Sequence, residues 1–243
     1  MAPSLLSKVK ASQRRYFRYA RLALMAGKIR SKESVRDAAT LSKPSTQPWS
    51  LAVVCGIAVY VIIDIVLTIL RPDYNWLHNA ESDFGRGPYF WLMDINFILR
   101  YLFSLSLVKM LWTQFPKDKS LKRATYWIVL WALTSGLLAF FADNPYGYRP
   151  LWSGRIHLLF ALIAFVSVIV GMVLITRRLT SLSVNLAIKN ILIGLTVLAC
   201  ITLLLLGHSG FRPDNFGGLY ERIFLFSVLA WEGLLAVTSR KTA

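Results

Sequence analysis

The chain reads as an all-α integral membrane protein, a six-helix bundle with an N-terminal amphipathic helix. Four observations predict this. Six apolar stretches follow residue 49, each about twenty residues long and so able to cross a ~30 Å hydrocarbon core. Of the 243 residues, 56% are hydrophobic, and mean hydropathy is +0.52. Several stretches are apolar all round, which suits lipid or a membrane-protein interior and excludes an ordinary soluble domain. The basic residues, finally, alternate between successive connections.

Residues 1–49 form the first unit, a basic tail. It holds eleven Lys/Arg against Glu33 and Asp37, within a net charge of +16 for the whole chain. Residues 5–30 predict an amphipathic helix. Leu6, Val9, Tyr16, Phe17, Ala20 and Leu24 fall near one face, with Lys10, Arg14, Arg18, Arg21 and Lys28 near the other. Such a helix lies along a leaflet and meets anionic headgroups, so membrane lipids are the expected partners and nucleic acid is not. A rival reading is an organellar transit peptide, because residues 1–32 are rich in Arg and carry no acid.

Residues 50–238 form the membrane unit. The spacing predicts spans over Ser50–Leu70, Tyr89–Trp112, Ala124–Ala142, Gly154–Thr176, Lys189–Gly207 and Gly218–Thr238. Pro, Gly, Asn and Asp mark the connections. The tail, residues 113–123, residues 177–189 and the C-terminus hold twenty Lys/Arg, whereas residues 71–88, 143–153 and 208–217 hold four. By the positive-inside rule both termini are cytoplasmic and the connections starting at Arg71, Asp143 and His208 face outward. The expected location is a bacterial cytoplasmic membrane, with an organellar inner membrane as the alternative. Cys55 and Cys200 both fall in spans and read as small buried apolar side chains. Trp76, Tyr89, Trp91, Trp112, Trp127 and Trp152 read as an interfacial belt.

Ionisable groups within spans mark function or pairing. One set gathers at the outward ends: Ser82, Asp83, Asp143, Arg155, His157, His208, Glu221 and Arg222 all fall within about a helical turn of one interface. Several readings of this set compete. His157, His208, Asp143 and Glu221 offer ligands for a divalent metal that activates water, although no metal-site spacing is present. Ser82, Asp83, His157 and His208 offer a nucleophile, base and orienter without a nucleophile elbow. Arg155 and Arg222, with Asp143 and Glu221, offer a clamp for a phosphate headgroup. In the structural reading, Asp83 or Asp143 pairs with Arg155 or Arg222 to close the bundle. A haem held by His157 and His208 is disfavoured by their position at span ends.

A second set lies deeper: Asp64, Asp94, Asn96, Arg100 and Glu232. Asp64 is about 9 Å below its span end and Arg100 about 15 Å below its own. An Asp64–Arg100 ion pair is expected, with Glu232 as the competing partner. It serves as helix–helix glue or as part of a proton or solute path.

Three stretches carry a resemblance. They are Glu81-Ser82-Asp83-Phe84-Gly85 with Leu92-Met93-Asp94-Ile95-Asn96-Phe97, Asp143 with Ser153-Gly154-Arg155-Ile156-His157, and Gly218-Leu219-Tyr220-Glu221-Arg222-Ile223. Together they resemble the prokaryotic six-span membrane proteins of domain-of-unknown-function family 998, which look like the Frag1/DRAM/Sfk1 type. The resemblance implies six spans and a polar outer face, and no reaction. The expected function is an outward polar pocket for a lipid headgroup or polar small molecule. The alternatives are a membrane-embedded, possibly metal-dependent hydrolase and a non-catalytic subunit or scaffold.

Overall fold

In the computed structural model, described are residues 45–144, 151–182, 185–211 and 215–240, together with Met25. The chain divides into two units, 1–44 and 45–243. The expected amphipathic helix lies outside the described residues apart from Met25, which is helical and exposed.

Six long helices make up the second unit: α1 (Gln47–Leu70), α2 (Phe90–Gln114), α3 (Lys119–Leu137), α4 (Trp152–Thr180), α5 (Leu186–Ser209) and α6 (Gly217–Arg240). A 3₁₀ turn, Leu138–Phe140, extends α3, and another, Glu81–Gly85, sits in the segment between α1 and α2. Each helix starts where local chemistry allows. Pro48 occupies the first turn of α1, where a missing N–H is harmless. Asp118 caps α3 by accepting from the Leu121 N–H at 2.9 Å, and Asn185 caps α5 by accepting from the Ala187 N–H at 2.8 Å.

The helices close a ring in chain order, with α6 packed back on α1 and touching α2 and α4 across the interior. Successive helices of such an up-and-down ring run antiparallel. Two tether bonds agree with this: Ser50 of α1 donates to the Ala236 carbonyl near the end of α6 at 2.6 Å, and Arg178 at the end of α4 donates to Asp118 at 2.8 Å. One end of the bundle therefore gathers the 71–88 segment, the starts of α2, α4 and α6, and the ends of α3 and α5.

Side-chain spacing sets which face turns inward. On α1 the buried residues are Ser50, Val53, Tyr60 and Leu67, a narrow seam of heptad type. Its Leu51, Val59, Ile62, Ile65, Val66 and Ile69 are exposed, as a lipid-facing side requires. On α2 the buried positions from Asn96 through Arg100, Phe103, Ser104 and Leu107 to Leu111 trace a helical stripe. Gly56 of α1 meets this stripe closely, since a Cβ there would lie 2.8 Å from Phe103 Cβ. Trp131 and Trp231 are the largest fully buried side chains. Their indole N–H groups donate to Ser104 Oγ at 3.2 Å and Thr176 Oγ1 at 2.9 Å, so both stay hydrogen-bonded in the core.

Five helices, α1 to α5 (α3 with its extension), are long and apolar enough to cross a membrane. The sixth is as long but carries Glu221, Arg222 and Glu232. Its reason is position: among its described side chains only Phe226, Ala230 and Val237 are exposed. A helix shielded by its neighbours can carry charge where a lipid-facing helix cannot. Cys55 corrects one expectation, being exposed on the outer side of α1 rather than buried, while Cys200 is partly buried.

Candidate functional site

The 71–88 segment folds into the bundle end instead of extending away from it. Phe84 is its anchor, fully buried against Leu67, Met93, Phe97 and Leu138 and stacked on Tyr74 at 3.8 Å between ring centroids. The start of α6 clamps the rest. Arg222 Nη1 donates to the carbonyls of Trp76, Asn79 and Gly218 at 3.1–3.3 Å, and its Nη2 donates to the Tyr74 hydroxyl at 2.6 Å. That hydroxyl donates onward to the Ala80 carbonyl. Burial pushes the Tyr74 phenol well above its ordinary range, so it stays neutral and keeps its proton for this bond. Leu219 N–H donates to the Leu77 carbonyl at 3.0 Å, and His78 Nδ1 bonds the Asn215 carbonyl at 2.5 Å. Gly218 is required here: a Cβ would lie 2.3 Å from the Asn79 carbonyl oxygen.

This docking carries Glu81 to the interior, where it is 3% exposed. Tyr60 of α1 donates its hydroxyl to Glu81 Oε1. The Glu81 backbone N–H donates to Glu221 Oε2 at 2.6 Å. Two small chambers flank Glu81. One, of about 20 Å³, is lined by Glu81, Ser82, Arg100, His157 and Glu221 with Met93, Phe97, Leu138, Ala161, Phe165 and Leu225. The other, of about 10 Å³, lies in the seam between α1 and α6 and is lined by Tyr60, Val61, Asp64, Glu81, Arg222, Leu225, Phe226 and Leu229. A space of this size admits about one water or one comparably small polar group.

Arg100 is the unusual member. It is 3% exposed, its Nε is buried without a hydrogen-bond partner, and it is absent from the three ion pairs among the described residues. Around its guanidinium stand the rings of Trp131, Phe97 and Tyr60, at 5.1, 5.2 and 5.5 Å. Cation–π attraction of about 0.5–2 kcal/mol per ring does not replace hydrogen bonds for a fork of N–H donors. Asp64 has a complementary defect: its Oδ1 is buried and also lacks a partner. The expected Asp64–Arg100 pair is thus not formed. Glu232 forms no ion pair with Arg100 either, and both its oxygens accept from Ser104 Oγ at 3.0 and 3.1 Å. Asn96 is fully buried and donates to the Tyr60 carbonyl at 3.2 Å, while Asp94 is half-buried.

The outward set separates. Ser82 and His157 both line the larger chamber, yet Ser82 Oγ donates to Asp143 Oδ2 at 3.0 Å and His157 Nδ1 bonds the Phe141 carbonyl at 2.7 Å. Nucleophile and base are therefore not joined as a hydrolytic set requires. Asp83 is engaged within its own loop, with Arg86 and the Ala80 N–H. Arg155 is exposed, 5.7 Å from the Trp152 ring centroid, and Arg222 is committed to backbone carbonyls, so the two do not clamp a common phosphate. The bundle-closing pairs of Asp83 or Asp143 with Arg155 or Arg222 are absent too. His208 is exposed at the end of α5 while His157 is buried, so the structure does not bring these two rings together. Among the described residues no three His, Cys, Asp or Glu side chains gather as metal ligands, so the expected set of His157, His208, Asp143 and Glu221 is not assembled.

A larger open cleft of about 330 Å³ lies within the 71–88 segment, lined by Arg71, Asp73, Tyr74, Asn79, Asp83, Arg86 and Gly87. Its charges are mutually paired: Arg71 forks onto Asp73 at 2.9 and 2.8 Å, and Arg86 meets Asp83. The Arg71 bonds hold the Asp73 carboxyl below its usual range. The cleft keeps one buried atom without a partner, Arg86 Nε, and the chambers beneath this segment keep two, Asp64 Oδ1 and Arg100 Nε.

Sequence reasoning missed Glu81, Tyr60 and Trp131 as members of the site. The available signal was Phe84, an aromatic residue three positions beyond Glu81 in a polar loop, and the placing of Tyr60 seven residues from both Val53 and Leu67. No curated protein and no solved structure is significantly similar to the chain. A family model does match, over residues 54–238, from the second turn of α1 to the last turn of α6, and on that match the chain belongs to the family described as "Protein of unknown function (DUF998)".

Proposed function

We propose that this is a six-span membrane protein, both termini cytoplasmic, whose outer end binds the anionic group of a small polar molecule or lipid headgroup. The binding cation is Arg100. The observation that carries this reading is a guanidinium buried among three rings, with its Nε unpartnered, facing a chamber it shares with Ser82, His157 and Glu221. Burying an unsatisfied charged donor costs several kcal/mol, so such a group persists where a ligand or water completes it. Positive-inside counting supports the outward placement, and the shielding of α6 supports its crossing as a sixth span. The basic tail then meets the anionic cytoplasmic leaflet of a bacterial membrane.

The seam chamber lies between α1 and α6 with the half-exposed Phe226 in its lining, so a headgroup approaching in the outer leaflet meets the Asp64 side of Glu81 first.

Native mass spectrometry of protein extracted in mild detergent tests the reading. The wild type and Arg155→Ala retain an anionic or phosphate-bearing ligand, and Arg100→Gln loses it. Retention by Arg100→Gln equal to wild type would leave the polar network as a structural or scaffolding device.

A further inference from the structure

We infer that the ligand is zwitterionic: a short molecule or headgroup that presents an ammonium to Asp64 and an acidic oxygen to Arg100. The inference rests on the reading of Arg100 as the anion-binding residue and adds the second half of the ligand. Two buried atoms of oppositely charged side chains lack a hydrogen-bond partner, Asp64 Oδ1 and Arg100 Nε, and the two residues line adjoining chambers on the two sides of Glu81. Neither satisfies the other, since they form no ion pair. Leu225 and Glu81 line both chambers, so the two adjoin at these residues, and the inferred ligand passes between them there.

Charge at the seam points to a cation there. Asp64 and Glu81 are its two carboxylates, and its one cation, Arg222, is turned to the carbonyls of Trp76, Asn79 and Gly218 and to the Tyr74 hydroxyl. The space is about 10 Å³, which suits a compact ammonium with three N–H donors and excludes a trimethylammonium. The larger chamber supplies the opposite pole, with Ser82 and His157 beside the Arg100 fork. A phosphoethanolamine group and a free amino acid share this chemistry, and the source is separable by experiment.

The test uses the full chain in mild detergent, exchanged with equimolar phosphatidylethanolamine, phosphatidylglycerol and phosphatidylcholine, and read by native mass spectrometry. The wild type is expected to retain phosphatidylethanolamine over each of the others by about tenfold or more, the worth of one charge-assisted hydrogen bond. Asp64→Asn reduces the preference over phosphatidylglycerol to near unity while still retaining lipid. Arg100→Gln loses all three lipids, and Arg100→Lys restores part of the retention, which separates a lost contact from a lost fold. Free phosphoethanolamine and glycine supply the second arm. Displacement of the lipid by either assigns the site to a soluble zwitterion, and failure of both to displace a preferred phosphatidylethanolamine assigns it to the lipid. Equal retention of the three lipids by the wild type, or an unchanged preference in Asp64→Asn, overturns the zwitterion while leaving the Arg100 reading standing. Unchanged retention in Arg100→Gln overturns both.

Discussion

The Glu81 backbone N–H donates to the Glu221 carboxylate at 2.6 Å, joining residues 140 positions apart. This bond fixes the start of a 3₁₀ turn against the first turns of α6. It explains how an acidic residue in a polar loop comes to lie inside a membrane bundle. The same turn carries Ser82 toward the Arg100 chamber and Phe84 into the core.

Removal of the acceptor leaves a buried N–H unsatisfied. Glu221→Ala is expected to lower stability by about 1–3 kcal/mol, whereas Glu221→Gln, which keeps an acceptor oxygen, loses less. Thermal unfolding of both variants in the same detergent checks the ordering; equal losses would mean that the bond is not what Glu221 supplies.

Gly218→Ala places a methyl 2.3 Å from the Asn79 carbonyl oxygen, and backbone cannot yield as a side-chain tip can. A loss of about 1–3 kcal/mol is expected, together with faster amide exchange across residues 71–88. Exchange that rises equally throughout the bundle would point away from a local clamp.

At the opposite end, Asp118 accepts from the Leu121 N–H and from Arg178, and the first of these does most to hold its carboxyl below the usual range. A lowered folded-state value means that the stabilisation is present above the unfolded value of about 3.9 and is lost as pH falls through the folded value. Asp118→Asn keeps a cap but loses the charge. The wild type is expected to exceed this variant by up to about 1 kcal/mol at pH 7, the worth of a negative charge at a helix start and an exposed ion pair, with the gap closing below pH ~4. A gap that widens in acid contradicts the assignment.

Orientation is checked by labelling in a background without Cys55 and Cys200. A cysteine at Asp73, whose side chain is 64% exposed, is expected to react with an impermeant maleimide on intact cells. A cysteine at Lys117 is expected to react only after permeabilisation. The reverse pattern would turn the chamber toward the cytoplasm.

The sequence by itself determined the class, the six helices and the gathering of polar chemistry at one end of the bundle. The expected span Ser50–Leu70 is helix Gln47–Leu70, and the expected Lys189–Gly207 is Leu186–Ser209. Apolar length and turn chemistry are local properties, so they can be read along the chain. Tertiary structure decided which polar groups meet. In helices that are apolar on nearly every side, no stripe tells which way a given residue turns, and neighbouring helices settle it. That is why His157 turned inward and His208 outward, and why Arg222 took backbone carbonyls instead of a carboxylate. It is also why Asp64 and Arg100, the pair expected from depth alone, stand apart with Glu81 between their chambers. Depth follows from counting residues at a fixed rise, whereas direction around the helix axis follows from packing.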